Sequence, residues 1–356
     1  MRKLFLIVLL CAARLPLPGQ SPTSPASAPE LLKDPRAVFA AAAPFYDFSD
    51  PSLKPWHLKV GYQLYDETGK PNEQGMYEYW WASPDVYRST WTRPGATHTD
   101  WHTADGRHLY QASGASLNFF EYRLQSALLS PLPDSSELDP TKYRLDREEK
   151  KLGGPDKALC IMVIPLMPQH EQIQVVPLGL FPTYCFASNL SALMANFSFG
   201  TIATQFTRVG KVQNHYLPLE LVFYENGKEI LSAKVDSVNG IAPSDAALIP
   251  TADAQTIKLE KAQLTEGVTT GMLLKKQQPI YPQDAKDARV SGKVVLQATI
   301  GIDGTIHDLR VVQAPWPSLV ASALVAVSKW QYKPYMLNGE PVEVETTINV
   351  IYSLGP

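Results

Sequence analysis

The last strand of the chain is the feature that most restricts its fold. In "VEVETTINVIYSL", apolar side chains alternate with polar ones between residues 342 and 352. A period of two is typical of a β-strand with one face buried and the other in water. Asn338-Gly339 directly precedes this stretch, and that dipeptide favours the tight turn of a hairpin. The sequence therefore predicts a C-terminal hairpin whose final strand packs one face against other elements.

The residues before this hairpin predict the rest of a small module, 267–356. Pro282 suits the first position of a short helix, because a proline there loses no hydrogen bond. "KVVLQATIGIDGTIHDLRVVQ" predicts a second hairpin with Asp303-Gly304 at its tip. Leu319, Ala323 and Val327 follow at helical spacing. The order helix, strand, strand, helix, strand, strand predicts a small α+β sandwich.

Residues 36–240 predict a separate, mostly antiparallel β domain that resembles a half-barrel. "LKVGYQLY" alternates like a half-buried strand, and Asn226-Gly227 separates two apolar runs as in a hairpin. Phe120, Leu124 and Leu128 recur every four residues and predict one helix. Residues 241–266 are rich in Pro, Ala and Asp and are interpreted as a linker. The predicted fold class of the whole chain is α+β.

The N-terminus predicts export. Arg2 and Lys3 precede an apolar run of about ten residues, which is the pattern of a secretory signal peptide. We interpret 1–20 as the signal and 21–35 as a Pro/Ser/Ala-rich leader. A cleaved signal predicts a periplasmic protein, whereas an uncleaved one predicts a membrane-anchored protein.

Two cysteines remain after the signal. Cys160 and Cys185 both lie in β-like apolar runs. An even number of cysteines in an oxidising compartment predicts a disulfide, and two buried free thiols are the alternative. No histidine is placed beside either cysteine in the sequence, so a catalytic thiol is not expected.

Charge and motifs exclude several functions. The net charge of −3 does not indicate nucleic-acid binding. His98, Asp100 and His102 in "HTDWH" share one face of a strand, so a metal site is geometrically conceivable. Polar residues on the solvent face of a sheet are the favoured interpretation. The sequence has no nucleotide-binding or hydrolase motif, and neither enzymatic activity nor a cofactor is expected.

The C-terminal module resembles the C-terminal domain of TonB-family energy transducers. The resemblance rests on "QPIYP", "DARVSGKVVLQATIGIDGTI", "ALVAVSKWQYKP" and "NGEPVEVETTINVIYSL". It implies a binding module that grips an extended peptide of an outer-membrane receptor or another envelope protein, partly by adding a strand to its sheet edge. The residues implied in partner binding are Gln278, Tyr281, Pro282, Val344, Thr346, Ile348 and Val350.

Residues 35–238 resemble, more loosely, the LolA/LolB-like half-barrels of bacterial envelopes. "WASPDVYRSTW", "ADGRHLYQ" and "YLPLELVFYENGK" carry this resemblance. It implies an antiparallel sheet curled around an apolar cavity that holds lipid acyl chains. The aromatic stripe Tyr77, Tyr79 and Trp81 is interpreted first as ordinary core.

Two functional hypotheses follow. In the first, the protein is an envelope adaptor whose TonB-like module binds a partner peptide. In the second, it is a periplasmic carrier for lipid or lipoprotein. Energy transduction would need a retained membrane helix to couple to a motor such as ExbB–ExbD, so a cleaved signal argues against those motor partners.

Overall fold

The computed structural model describes residues 33–152, 157–166, 176–187, 192–198 and 201–354. The predicted signal peptide and nearly all of the predicted leader lie outside these residues. Within the described part, no helix combines the length and apolar character needed to span a membrane.

In the described part of the chain, the N-terminal domain has twelve strands and two helices. The strands are β1 Trp56–Tyr65, β2 Pro71–Ser83, β3 Val86–Arg93, β4 Ala96–His102, β5 His108–Ser113, β6 Tyr143–Lys151, β7 Lys157–Pro165, β8 Thr183–Ala187, β9 Leu193–Ser198, β10 Ile202–Val212, β11 His215–Glu225 and β12 Lys228–Gly240. The helices are α1 Pro35–Ala42 and α2 Phe119–Leu129, and 3₁₀ turns cover Ala43–Phe45, Ser135–Leu138 and Ala246–Leu248.

These strands form one open antiparallel sheet. Its order is β6-β7-β8-β9-β10-β11-β12-β1-β2-β3-β4-β5. Among the described residues, β6 pairs only with β7 and does not meet β5, so the sheet does not close. The hairpin predicted at Asn226-Gly227 is confirmed, and both residues have positive φ, as its turn requires.

Helix α2 is fixed against the concave face of the sheet by one buried carboxylate. Glu121 is 0% exposed and completes a capping box with Asn118 at the start of the helix. The same carboxylate accepts a hydrogen bond from the Tyr62 hydroxyl (2.7 Å) and pairs with Arg93 (3.2 Å). Because every partner of Glu121 is in place, its burial does not leave an uncompensated charge. The helix predicted from Phe120, Leu124 and Leu128 is confirmed.

A disulfide joins two neighbouring strands of this domain. Cys160 on β7 lies directly opposite Cys185 on β8, and their sulfur atoms are bonded. Both residues are 0% exposed. The bond therefore links two strands that are already paired through their backbones.

The C-terminal module contains the predicted helix, two strands, helix and two strands, together with further short elements and a strand from residues 241–266 that the sequence did not predict. Its strands are β13 Gln255–Leu264, β14 Leu273–Lys275, β15 Gly292–Ile300, β16 Ile306–Gln313, β17 Gln331–Tyr332, β18 Met336–Leu337 and β19 Glu340–Tyr352. Its helices are α3 Glu266–Gly271, α4 Gln283–Asp287 and α5 Pro317–Val327.

The sheet of this module has the order β13-β19-β15-β16. Strand β15 pairs antiparallel with both β16 and β19, while β13 runs parallel to β19. Helices α4 and α5 cover the apolar face with small and branched side chains, so the interior is filled. The buried residues of α5 are Leu319, Val320, Ala323, Leu324, Ala326 and Val327. The α+β fold class predicted from the sequence is confirmed.

Two local expectations need correction. Pro282 caps α4 rather than occupying its first turn. The stretch 241–266, interpreted as a linker, contains β13, which joins the two domains through backbone pairing. Its first residues pair with β5 and its last ones with β19. The sequence did not indicate this strand because its residues lack a regular apolar alternation.

Candidate functional site

The side chains predicted for partner binding on the last strand lie in the core of the module. Val344, Thr346, Ile348 and Val350 are at most 5% exposed. Their side chains face the interior, as the alternation requires, and are not available to a partner. What β19 can offer a partner is its backbone edge and the side chains of its other face.

The outer edge of β19 is covered over its first half by β13. Ala262, Gln263 and Leu264 align with Val344, Glu345 and Thr346 in a parallel register. Side chains reinforce the pairing, since Lys261 lies 3.3 Å from Glu345 and 3.9 Å from Glu343. The Gln263 amide also donates a hydrogen bond of 2.6 Å to Glu345.

Beyond Thr346 the outer edge of β19 is covered by a side chain and no longer by β13. The Glu266 carboxylate, at the start of α3, accepts hydrogen bonds from both the backbone N–H and the side-chain amide of Asn349. N–H groups alternate in direction along a strand, so those of Thr347 and Ile351 point to the same outer side. Ile351, near the end of β19, is 73% exposed.

The predicted binding residues before α4 lie close to the end of β19. The Tyr281 hydroxyl donates to the Val290 carbonyl (2.5 Å), and its ring packs edge-on against Tyr352 (5.4 Å between centroids). Pro282 follows as the helix cap, and Gln278 is exposed. Tyr281 is therefore brought to the last strand, whereas Gln278 is exposed ahead of α4.

The "HTDWH" residues are not on a solvent face, which corrects the favoured interpretation. His98 is 2% exposed; its Nε2 donates to the Ala115 carbonyl (2.8 Å), so its Nδ1 accepts from the Tyr110 hydroxyl (2.9 Å). His102 stacks on His108 instead of converging with His98. Among the described residues, no group of three or more His, Cys, Asp or Glu side chains could hold a metal ion.

Asp100 of this stretch lies close to the C-terminal module, where His307 of β16 is the central cation of the contact between the two domains. Its ring lies 3.7 Å from that of Tyr122, 3.4 Å from an oxygen of Asp303 and 3.5 Å from an oxygen of Glu343. Burial lowers the pKa of His307, but the two carboxylates outweigh it and raise the pKa to about 9. His307 is therefore charged at neutral pH.

The carboxyl groups around His307 differ in pKa. Burial raises the pKa of Asp303, yet His307 and Thr305 outweigh it and bring the pKa down to about 2. Burial raises the pKa of Asp100 to about 7, with His307 opposing the shift and Asp303 and Glu343 adding to it. The Tyr122 hydroxyl donates to Asp303 (2.9 Å) and completes the contact.

A cavity of about 660 Å³ lies between α2, the concave face of the N-terminal sheet and β16. Its volume is within the range of small-molecule sites. Aromatic rings form much of its apolar wall. They are Phe48, Tyr79, Trp81, Tyr87, Tyr122, Tyr184, Phe197 and Phe223. Tyr79 and Trp81, interpreted from the sequence as core, therefore also line the cavity.

The polar end of the cavity holds two arginines in different surroundings. Arg310 is paired with Asp308 (3.1 Å) and Glu137 (3.4 Å). Arg123 makes no ion pair within 4 Å among the described residues, and its buried Nε has no hydrogen-bond partner there. Burial accordingly lowers the pKa of the Arg123 guanidinium, although Asp308 and Glu137 oppose the shift.

The resemblance implied an apolar cavity, but sequence reasoning missed the arginines beside it and the contact between the domains. Arg123 lies on a helix that was recognised, but only its burial without a counterion distinguishes it from a surface arginine. His307 follows the Asp303-Gly304 turn by a few residues, which placed it on a strand without indicating the opposing domain. Both depend on how the two domains pack.

Comparison with known proteins assigns the C-terminal module. Residues 277–354 match the family described as Gram-negative bacterial TonB protein C-terminal. The TonB C-terminal domain of Pseudomonas aeruginosa is 26% identical over 24% of this chain and 86% of its own, with a TM-score of 0.22. No curated protein sequence matches the chain.

Two solved structures similar to the larger part of the chain come from Nitrosomonas europaea and Vibrio parahaemolyticus. A LolA superfamily protein from Nitrosomonas europaea is 7% identical, covering 60% of this chain and 97% of that one, with a TM-score of 0.33. A domain described as an outer membrane lipoprotein-sorting protein, from Vibrio parahaemolyticus, is 8% identical and covers 62% and 96%, with a TM-score of 0.36.

Proposed function

We propose that the chain is a non-enzymatic envelope protein whose C-terminal module binds an extended peptide of a partner by strand addition along β19. The observation that carries this proposal is the parallel pairing of β13 with β19, since an edge that takes up one strand of this chain has the geometry to take up another. The family match over residues 277–354 supports it. An outer-membrane receptor or another envelope protein would supply the peptide.

The test uses backbone groups rather than buried side chains. Since Asn349 donates outward, Ile348 donates inward to β15, and Ile348→Pro would break the module itself. Thr347→Pro instead removes an outward N–H at an exposed position, and Thr347→Ala is the matched control that keeps it.

The full-length protein is screened by fluorescence polarisation against ten-residue peptides from the plug segments of outer-membrane receptors. The proposal expects a peptide that binds the wild type and the alanine variant equally and the proline variant at least tenfold more weakly. Binding that survives the proline substitution, or a screen without any binder, contradicts strand addition at β19.

The cavity supports a second candidate function, the carrying of an amphipathic anion. An aromatic wall suits an acyl chain, and Arg123 at the polar end lacks a bonded counterion. An anionic head beside Arg123 would pair with a partly buried guanidinium whose Nε has no hydrogen-bond partner among the described residues. The proposed ligand class is therefore a long-chain carboxylate or a phosphate-bearing lipid.

Oleate and oleyl alcohol separate this candidate from plain apolar binding, because they share the chain and differ in the charge of the head. Isothermal titration should give at least tenfold tighter binding of oleate to the wild-type protein. Arg123→Met should remove that preference and leave the binding of the alcohol unchanged. Equal affinities for the two ligands in the wild-type protein would exclude a role for Arg123 in anion binding.

A further inference from the structure

Strand β13 has no buried side chain among those the structure describes. Residues 255, 256, 261 and 263 are exposed, and Ile257, Ala262 and Leu264 are only partly buried. Strand β15, on the other side of β19, contributes Val294, Leu296 and Ala298 at 0–1% exposure. Strand β13 is therefore held at the edge mainly by its backbone, as an added peptide would be.

The side-chain contacts of β13 with β19 are ones that water weakens. Lys261 is 44% exposed, and its partners Glu343 and Glu345 are 27% and 26% exposed. Ion pairs of this kind add little to stability, because solvent screens them. The ion pairs therefore oppose detachment of the segment only weakly, and the apolar side chains that detachment would uncover are the partly buried Ala262 and Leu264.

The pairing of β13 is also divided between two domains. Gln255, Thr256 and Ile257 pair antiparallel with β5, while Ala262, Gln263 and Leu264 pair parallel with β19. The register shifts between Lys258 and Ala262. The half on β19 can therefore detach while the half on β5 stays in place.

We infer that residues 261–266 are an internal ligand of the β19 edge, and that the partner is a parallel, extended segment with a basic residue facing Glu343 and Glu345. This inference rests on the proposed strand addition and specifies its partner and its control. Lys261 occupies the place of the basic residue, and Glu266 closes the edge at Asn349. A partner has to displace this segment. The resting protein therefore binds the partner weakly, and a protein whose β13 has left the edge binds the partner tightly.

The test uses a fluorescein-labelled peptide with the sequence of residues 255–266, QTIKLEKAQLTE, and the full-length protein. Lys261→Glu in the protein places a third carboxylate beside Glu343 and Glu345 and should release the segment. The matched control is Lys150→Glu, an exposed charge reversal on β6. The peptide should bind Lys261→Glu at least tenfold more tightly than either the wild type or the control.

Further arms separate the inference from the proposed function. Equal binding of the peptide by wild type and Lys261→Glu overturns the internal ligand and leaves strand addition standing. Binding that persists when Thr347→Pro is added to Lys261→Glu overturns both. In a second peptide, Glu replaces the lysine that corresponds to Lys261. This peptide should bind the Lys261→Glu protein at least tenfold more weakly than the first peptide does. Equal binding of the two peptides overturns the predicted charge preference.

Hydrogen exchange supplies a measurement that does not depend on the peptide. In Lys261→Glu the outward amides of Glu345 and Thr347 should exchange at least tenfold faster, while the inward amide of Ile348 keeps the wild-type rate. Unchanged exchange at Glu345 and Thr347 would show that β13 stays in place and would overturn the inference. Faster exchange at all three amides would mean that the module itself is destabilised, which also overturns it.

Discussion

The two domains use their sheets in opposite ways. In the C-terminal module, α5 places Leu324 and its buried neighbours directly on the sheet, and the interior is filled. In the N-terminal domain, α2 lies against the concave face and leaves a cavity of about 660 Å³. A filled module can bind only at its edges or surface, whereas the open sheet can bind inside. This difference is the reason for proposing a peptide site at β19 and an amphipathic ligand in the cavity.

The largest loss of stability is expected from a leucine substitution that tests whether the C-terminal module is packed more densely than the N-terminal domain. Leu324→Ala, in the filled module, should lower the free energy of unfolding by about 3 kcal/mol, because a 0% exposed leucine leaves a hole that its neighbours cannot close. Leu129→Ala removes the same atoms beside the cavity and should cost only about 1 kcal/mol. Chemical denaturation measures both, and equal losses would contradict the comparison.

The disulfide tests how far the open domain depends on a covalent link. Replacing Cys160 and Cys185 together by alanine removes a constraint across a sequence separation of 25 residues. We expect a loss of about 3 kcal/mol, because the unfolded chain gains freedom. Urea unfolding followed by circular dichroism measures the change. A midpoint that does not move would show that the strand pairing of β7 and β8 suffices.

The C-terminal module should lose stability as the pH rises, because His307 pairs there with Asp303 and Glu343. The pKa of His307 is about 9 in the folded protein and about 6.5 in an unfolded chain. Its contribution is therefore complete below pH 6.5 and is lost as the pH rises through 9, by about 2 kcal/mol. Asp100, with its pKa raised to about 7 by burial, costs stability as it ionises between pH 4 and 7. Measurements from pH 7 to 9.5 therefore isolate His307.

Thermal unfolding across that range compares wild type with His307→Gln. The variant keeps hydrogen-bonding capacity but cannot become charged, so its stability should depend less on pH. If both proteins lose stability in parallel between pH 7 and 9.5, the ion pairs of His307 with Asp303 and Glu343 do not stabilise the folded protein.

The smallest effect is expected at Arg123. Arg123→Met replaces a buried cation without a bonded counterion by an apolar chain of similar length, so stability should change by less than about 1 kcal/mol. Arg310→Met is the matched comparison, because it deprives Asp308 and Glu137 of their paired cation. Denaturation in the absence of ligand should show the greater loss for Arg310→Met, and the reverse order would indicate that Arg123 has a structural role.

Much of the C-terminal module could be predicted because its signals are local. The turns at Asp303-Gly304 and Asn338-Gly339 need residues that accept positive φ, and the structure has Gly304, Asn338 and Gly339 in that region. Gly304 has a further reason, since a Cβ there would lie 1.9 Å from the Tyr332 carbonyl oxygen. Neighbouring residues fix such turns, so a single sequence reveals them.

The candidate sites could be predicted only in part. Tyr281 was expected near the bound peptide, and its contact with Tyr352 brings it close to the last strand. The alternation from Val344 to Val350 also predicted which side chains face inward. It did not predict that β13 covers the outer edge of the same strand. A parallel pairing between segments about 80 residues apart leaves no local pattern, and nothing in "HTDWH" shows what packs against it.

By itself, the sequence determined the order of the main elements of the C-terminal module, its two tight turns and the buried face of its last strand, because these depend on local backbone preferences and on the period of apolar residues. Only the tertiary structure decided that β13 covers β19, that His307 is charged between two domains, and that Arg123 lies beside a cavity. Those properties depend on distances between residues far apart in the chain, and such distances are set when the domains pack.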